Sequence, residues 1–286
     1  MTADTAFPAT PRPAAPSHSH STRAGDAPRV TFTRVMRSEW TKLTSLRSTV
    51  WSMVVAVLLV VGLGVLFTGL ISAHWDHMSA SDIATFDPTT ASETGMFFAQ
   101  LAVGVLGVMV MTGEYSTGMI RSSFGAVPRR LPVLGAKAVV FGVFSFVLMF
   151  VSLLVTFLIG QVFFQSHHVG ASLTDDGVLR SLLGVAFYLA AIGLIGMFLG
   201  TMLRATGGAI AVLVALVLIV PIVFATLPGT WSDQAKWLPS NAGGAMASVV
   251  SRSSDTFSPQ GGLVLLLAYV AVTGAAAAWL LLRRDA

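Results

Sequence analysis

Cysteine and charge are the two things that this sequence lacks most. None of its 286 residues is cysteine, and 10% are Asp, Glu, Lys or Arg, against roughly 25% in an ordinary soluble domain. The first absence excludes disulfide bonds, thiolate metal sites and a cysteine nucleophile. The second excludes a soluble globular protein, because so little charge could not cover its surface. Hydrophobic residues make up 54% of the chain, which predicts an all-α polytopic membrane protein.

Motifs for self-contained catalysis are also absent. The chain has no HExxH, no GxSxG and no Walker-type GxxxxGK[ST] sequence. These patterns mark zinc proteases, serine hydrolases and phosphate-loop ATPases. We therefore expect that the chain is not an enzyme and that it holds no cofactor of its own.

Six apolar stretches are long enough to cross the hydrocarbon core of a bilayer, which takes about 20 helical residues. They cover residues 49–73, 95–113, 138–165, 181–203, 207–227 and 262–282, and none contains Asp, Glu, Lys, Arg or His. Ionisable groups inside a membrane mark proton relays and voltage sensors. Their absence disfavours an ion-coupled carrier and a voltage-gated channel, although sodium sites built from backbone carbonyls stay open.

The basic residues are unevenly distributed between the loops. Fourteen of the 17 Lys and Arg residues precede the first span, lie in the second-to-third and fourth-to-fifth connections, or follow the sixth span. The other loops hold eight of the 13 Asp and Glu residues. By the positive-inside rule both termini are cytoplasmic, which predicts a multi-pass plasma-membrane protein. The same bias explains the formal net charge of +4 without a nucleic-acid partner.

Two segments precede the first span. Residues 1–28 are rich in Pro, Ala, Ser and Thr without periodicity, which predicts a disordered cytoplasmic tail ahead of a membrane domain at 29–286. Residues 30–47 repeat apolar side chains at helical spacing and predict an amphipathic helix on the cytoplasmic membrane surface. This helix is either an anchor that sets topology or a lever that contacts a cytoplasmic partner. Its candidate functional residues are Arg34, Arg37, Glu39, Trp40, Lys42 and Arg47.

Some polar side chains lie within the predicted spans. A weakly polar lining would suit an amphipathic or lipophilic cargo, whereas the alternative role of such residues is helix packing through hydrogen bonds. The candidates for a cargo path are Gln100, Ser152, Thr156, Gln161 and Tyr188. Gly196 and Gly200 are four residues apart, a spacing that favours close helix packing.

Histidines in the outer loops are weak candidates for a metal site. They are His74, His77, His167 and His168, with aspartates nearby in sequence. The spacing could suit a divalent cation, but these residues lie on loops without a defined ligand set. We predict no metal centre.

Three segments carry a resemblance to a known family. RSEWTKLTSLRST, residues 37–49, is similar to the N-terminal interfacial helix of ABC type-2 (exporter) transporter permeases, especially actinobacterial ones. GEYSTGMIRSSFGAVPRRLPVLGAK, residues 113–137, resembles the loop between their second and third helices. The marks of that loop here are Glu114, Gly118, Pro128, Arg129, Arg130 and Lys137. LPSNAGGAM, residues 238–246, is similar to the outer region before their last helix.

The resemblance implies a permease subunit of an ATP-driven exporter. It does not identify the cargo, and a drug, an antibiotic, a peptide or a lipid stay open. Such permeases form dimers, and each half docks a separate ABC ATP-binding subunit that holds ATP and Mg. Their first cytoplasmic loop carries a coupling helix. Its residues here are expected to be Glu114, Gly118, Met119, Ile120, Arg121, Phe124, Pro128, Arg129 and Arg130.

A basic partner is expected for Glu114, because this residue lies at the cytoplasmic end of the second span beside two basic elements. We expect Arg37 or Arg47 to be that partner, so that the pair would lock the interfacial helix to the loop. Two other functions remain open. The chain could be a membrane scaffold or sensor subunit, or an ion-coupled carrier, which the lack of intramembrane charge disfavours.

Overall fold

The computed structural model describes residues 31–119, 130–227, 233–249 and 257–283, so the predicted tail at 1–28 lies outside the described residues. The described residues form helices and loops without a β-strand. Six helices are long and apolar enough to cross a membrane, which confirms the predicted class of an all-α multi-pass protein. They are TM1 (Arg47–Ala73), TM2 (Met96–Ser116), TM3 (Leu131–Gln165), TM4 (Val178–Leu203), TM5 (Thr206–Thr226) and TM6 (Pro259–Arg283).

TM2 and TM3 are longer than the apolar runs from which they were predicted. TM2 continues past residue 113 to Ser116 and so includes Glu114. The TM3 helix begins at Arg130 rather than at residue 138, and so includes Lys137. Pro132 lies in its first turn, where a missing N–H costs no helical hydrogen bond. The apolar runs therefore predict the middle of both helices but not their charged ends, which carry Glu114 and Lys137.

TM4 is the centre of the bundle. In its most apolar stretch 83% of the residues are buried, whereas the corresponding share is 22% in TM1, 17% in TM5 and 11% in TM6. TM2 approaches it closely because glycines face each other. A Cβ atom added to Gly107 would lie 1.9 Å from the carbonyl oxygen of Gly193, and one added to Gly196 would lie 2.2 Å from that of Gly104. We call these four residues the glycine seam.

The N-terminal helix covers Phe32–Ser45, inside the predicted range of 30–47, and we call it the interfacial helix. It packs against TM3 through a buried stripe of Val35, Glu39 and Leu43. Leu46 has an extended backbone and separates this helix from TM1. Trp40 is half-exposed and meets Phe144 of TM3 edge to face, with ring centroids 5.4 Å apart. A carboxylate therefore lies in the middle of the face that this helix buries.

Short helices cover the opposite end of the bundle. Ala80–Ala84 and Pro88–Ser92 lie between TM1 and TM2. Pro239–Ala247, which we call the outer helix, packs against TM4 and TM6. Single π-helical turns interrupt TM1 at Leu59–Leu63 and TM5 at Ala215–Ile219, a local feature that is frequent at functional sites.

Candidate functional site

Four charged side chains meet at the end of the bundle that is predicted to face the cytoplasm, and we call them the ion cluster. Glu39 and Lys42 come from one face of the interfacial helix, Glu114 from TM2 and Lys137 from TM3. Lys137 Nζ donates to Glu114 Oε1 at 2.8 Å and also to Glu39 Oε2. Lys42 Nζ donates to Glu39 Oε1 at 2.7 Å and to Glu114 Oε1 at 3.3 Å. The cluster thus joins three elements whose residues are far apart in sequence.

The ion cluster is withdrawn from solvent and balanced in charge. Glu39, Glu114 and Lys137 are each no more than 6% exposed, whereas the Lys42 side chain is 22% exposed. Burial lowers the pKa of Lys42, but its hydrogen bond to Glu39 and the charge of Glu114 outweigh this, so the pKa lies above its ordinary value. The formal charges of the set cancel, because two ammonium groups face two carboxylates. Breaking such a buried set leaves an uncompensated charge.

Glu114 has basic partners, as expected, but they are lysines rather than Arg37 or Arg47. Lysines 42 and 137 bind its carboxylate, while Arg37 and Arg47 are exposed. The guanidinium groups are not the partners of Glu114 because Glu39 and Lys42, three residues apart, occupy the buried face of the interfacial helix. Lys137 is one of the marks of the family resemblance, but no function is predicted for it from the sequence. The signal that could have found it is that it is the one charged residue of the TM3 helix from Leu131 to Gln165.

Other predicted coupling residues lie around the end of TM2. Gly118 follows the helix with a φ of +71°, a left-handed conformation that glycine adopts without strain. Met119 is 37% exposed, and Arg130 is the first residue of the TM3 helix. Ile120, Arg121, Phe124, Pro128 and Arg129 lie outside the described residues. The ion cluster therefore lies directly beside the loop for which coupling is predicted.

A cleft of ≈ 160 Å³ opens beside the ion cluster, between the interfacial helix, TM1 and TM2. Its lining combines polar groups, among them Glu114, Ser48 and Ser52, with apolar side chains such as Leu106 and Met109.

The predicted cargo-path residues lie buried within the bundle. Tyr188 of TM4 donates its hydroxyl to Gln100 Oε1 of TM2. Ser152 and Thr156 each donate to the carbonyl oxygen four residues earlier, at 2.8 Å. Gln161 lines a second cleft at the outer end of TM3 and accepts a hydrogen bond from the Ala171 N–H at 2.7 Å. The contact of Tyr188 with Gln100 joins two helices, whereas the bonds of Ser152 and Thr156 stay within TM3. A role in a cargo path stays a prediction.

The outer histidines are engaged with neighbouring side chains and backbone. His167 Nε2 lies 3.0 Å from Ser72 Oγ, and its ring stacks on Trp75. His74 Nδ1 lies 3.0 Å from a backbone carbonyl oxygen, and His168 has a φ of +59°. Among residues 31–119, 130–227, 233–249 and 257–283, no group of three or more potential ligands could hold a metal ion.

Comparison with known proteins places the chain in a family. No curated protein matches it. The profile described as "ABC-2 family transporter protein" matches residues 35–234, a range that contains the interfacial helix from Val35 onwards, TM1 to TM5 and the whole ion cluster. The match covers more than half of the chain and agrees with six membrane-spanning helices. The chain therefore belongs to the ABC-2 family and is a multi-pass membrane permease component of an ABC transporter.

Proposed function

We propose that this chain is the membrane-spanning subunit of an ATP-driven exporter and that its ion cluster couples it to a separate ATP-binding subunit. Family membership implies association with such a subunit, which would bind ATP and Mg and hydrolyse the nucleotide. Two permease chains would form the complete transporter. The observation that carries the proposal is the buried cluster of Glu39, Lys42, Glu114 and Lys137 beside the predicted coupling loop.

The ion cluster would make the junction of the interfacial helix, TM2 and TM3 rigid. Charged hydrogen bonds in a buried site are stronger and more directional than neutral ones. The ion cluster ties the interfacial helix to both helices that flank the loop 117–129, so a push on that loop would move three elements together. This supports the lever role of the interfacial helix over a purely anchoring role.

An amphipathic or lipophilic cargo is the class that the chain supports best. The cleft beside Glu114 combines hydroxyl groups with leucine and methionine side chains. It lies at the cytoplasmic end of the bundle, where an amphiphile from the inner leaflet could reach it. Outward transport would then carry the cargo towards the side with the short helices.

The test is purification of the tagged chain from its native membrane in mild detergent, with partners identified by mass spectrometry and ATPase activity measured after reconstitution. We expect a stoichiometric ABC ATP-binding subunit. Glu114→Gln should keep this subunit bound but reduce cargo-stimulated ATPase activity about tenfold, because the link between TM2 and the interfacial helix is weakened. Normal stimulated activity and transport in this variant, at normal expression, would overturn the coupling role.

Docking is tested separately at Met119. Met119→Asp places a charge on the exposed start of the loop and should release the ATP-binding subunit. Ile83→Asp is the matched control, because both residues are 37% exposed and Ile83 lies on the outer side. A purified, folded wild-type chain without any ATP-binding subunit would favour the scaffold or carrier function instead.

A further inference from the structure

A second acidic residue is buried at the opposite end of the bundle. Glu93 lies just before TM2 and is 2% exposed. Its two carboxylate oxygens lie 2.8 Å and 3.0 Å from the hydroxyl oxygen of Ser181, in the first turn of TM4. The same hydroxyl oxygen contacts the backbone carbonyl oxygen of Ala247, the last residue of the outer helix. One serine therefore joins three elements, and we call this set the outer latch.

The outer latch has too few protons if Glu93 is ionised. The Ser181 hydroxyl carries one hydrogen, but three oxygens surround it as acceptors. An ionised Glu93 would leave the carbonyl of Ala247 or the carboxylate without that donor. When Glu93 is protonated, its own O–H donates to Ser181 Oγ and the serine donates to the Ala247 carbonyl oxygen. Two of the three short contacts are then hydrogen bonds and the Ala247 carbonyl keeps its donor, so the geometry fits the neutral acid better than the ionised one.

The charged surroundings of Glu93 agree with this protonation state. Asp87, which caps the helix Pro88–Ser92, is the titratable neighbour that acts on Glu93, and its charge is of like sign. The outer helix has no titratable side chain, and neither does the part of TM1 near Gly64 that packs here. Arg180, beside Ser181, instead donates to the Ser248 carbonyl oxygen at 3.0 Å. Burial first, and then Asp87, raise the pKa of Glu93 well above its usual range, although the Ser181 hydrogen bond opposes them.

We propose that the outer latch is a proton-sensitive switch, in which loss of the Glu93 proton frees the C-terminal end of the outer helix from TM4. The step is an exchange of one hydrogen bond. After ionisation the Ser181 hydroxyl turns to the carboxylate, because a charged acceptor forms the stronger bond. The Ala247 carbonyl then loses its donor in a buried site, which destabilises the contact between the outer helix and TM4. The outer helix would be held at low pH and released as the pH on the outer side rises.

The absence of cysteine from the chain allows a direct test with two spin labels. Leu179→Cys lies on TM4 and is 48% exposed before substitution. Gly244→Cys lies on the exposed side of the outer helix, where an added Cβ meets no atom within 4 Å. The full-length double variant is placed in nanodiscs without an ATP-binding subunit. The distance between the two spin labels is measured by double electron–electron resonance from pH 5 to pH 9, about two pH units on either side of neutrality. We expect two distances whose population ratio changes by up to about tenfold per pH unit over the range in which the two states differ in protonation of Glu93.

Three variants separate titration of Glu93 from other causes. Glu93→Gln supplies an amide donor that cannot ionise, so the short distance should persist at every pH. Asp87→Asn keeps a capping side chain but removes the like charge, so the midpoint should move to lower pH. Ser181→Ala should lose the pH response and show the longer distance throughout. A wild-type distance that does not change with pH, or an unchanged response in Glu93→Gln, would overturn the proposal. Neither result depends on transport or on an ATP-binding subunit.

Discussion

At the scale of single residues, Lys137 is the side chain on which the ion cluster depends most. It is 4% exposed and donates to both carboxylates, whereas Lys42 is partly solvated. Water can partly replace Lys42 but cannot easily reach the position of Lys137. Removal of Lys137 would leave two buried carboxylates with a single ammonium group. The free energy of unfolding would fall because a buried charge is left unpaired, rather than because of the lost attraction itself.

Lys137→Met is therefore expected to lower the free energy of unfolding by about 3–5 kcal/mol. Denaturant titration of the purified chain in mixed micelles measures this change. The double variant Lys137→Met with Glu114→Gln is the control, because Glu39 and Lys42 then remain as a balanced pair. It should cost clearly less than the sum of the two single substitutions. A single-variant cost below about 1 kcal/mol would mean that the site is more hydrated than its burial indicates.

At the scale of helices, the sequence predicts what depends on local pattern. Apolar length predicted six spans, and the amphipathic period predicted a helix before TM1, which the structure has at Phe32–Ser45. The partners of Glu114 were not predictable in the same way. Lys42 and Lys137 are 72 and 23 residues away from it in sequence, so their meeting depends on how three helices pack. The outer latch was missed for the same reason, since Glu93 and Ser181 are 88 residues apart.

The glycine seam shows how a small pattern becomes a packing requirement. The spacing of Gly196 and Gly200 predicted close packing of TM4, and the structure shows that TM2 is the partner. Gly104 and Gly107 of TM2 bring its backbone against TM4 at Gly193 and Gly196. Close backbone approach of this kind favours association of membrane helices through van der Waals contact. The most buried helix is held to its main neighbour where side chains are smallest.

Gly107→Ala is expected to separate TM2 from TM4, because its Cβ would lie 1.9 Å from a backbone carbonyl oxygen. Such overpacking typically costs about 1–3 kcal/mol or more. Gly113→Ala is the matched control in the same helix, since its Cβ would meet no atom within 4 Å. The control should be neutral or slightly stabilising, because alanine favours helix over glycine by up to about 1 kcal/mol. Melting temperatures of both variants in detergent, followed by size-exclusion fluorescence, measure this difference. Equal effects of the two variants would contradict the close contact of TM2 with TM4 at the glycine seam.

At the scale of the whole molecule, the two ends of the bundle have different chemistry. The end assigned to the cytoplasm carries the ion cluster and most of the basic residues, whereas the outer end carries the acidic loops and the outer latch. The first end has paired charges that would remain fixed while a partner pushes on the loop beside them. The second end has an acid whose proton decides one hydrogen bond. Coupling and release would therefore occur at opposite faces of the membrane.

This division depends on the orientation of the chain, which cysteine labelling tests directly. The native chain has no cysteine, so every labelled site is an introduced one. Ser38→Cys lies on the exposed side of the interfacial helix, and Ala84→Cys lies at the exposed end of the short helix Ala80–Ala84 between TM1 and TM2. Since basic loops remain inside, a membrane-impermeant maleimide should label Ala84→Cys in intact cells and Ser38→Cys only after permeabilisation. The opposite order would place the ion cluster outside, where no ATP-binding subunit could reach it.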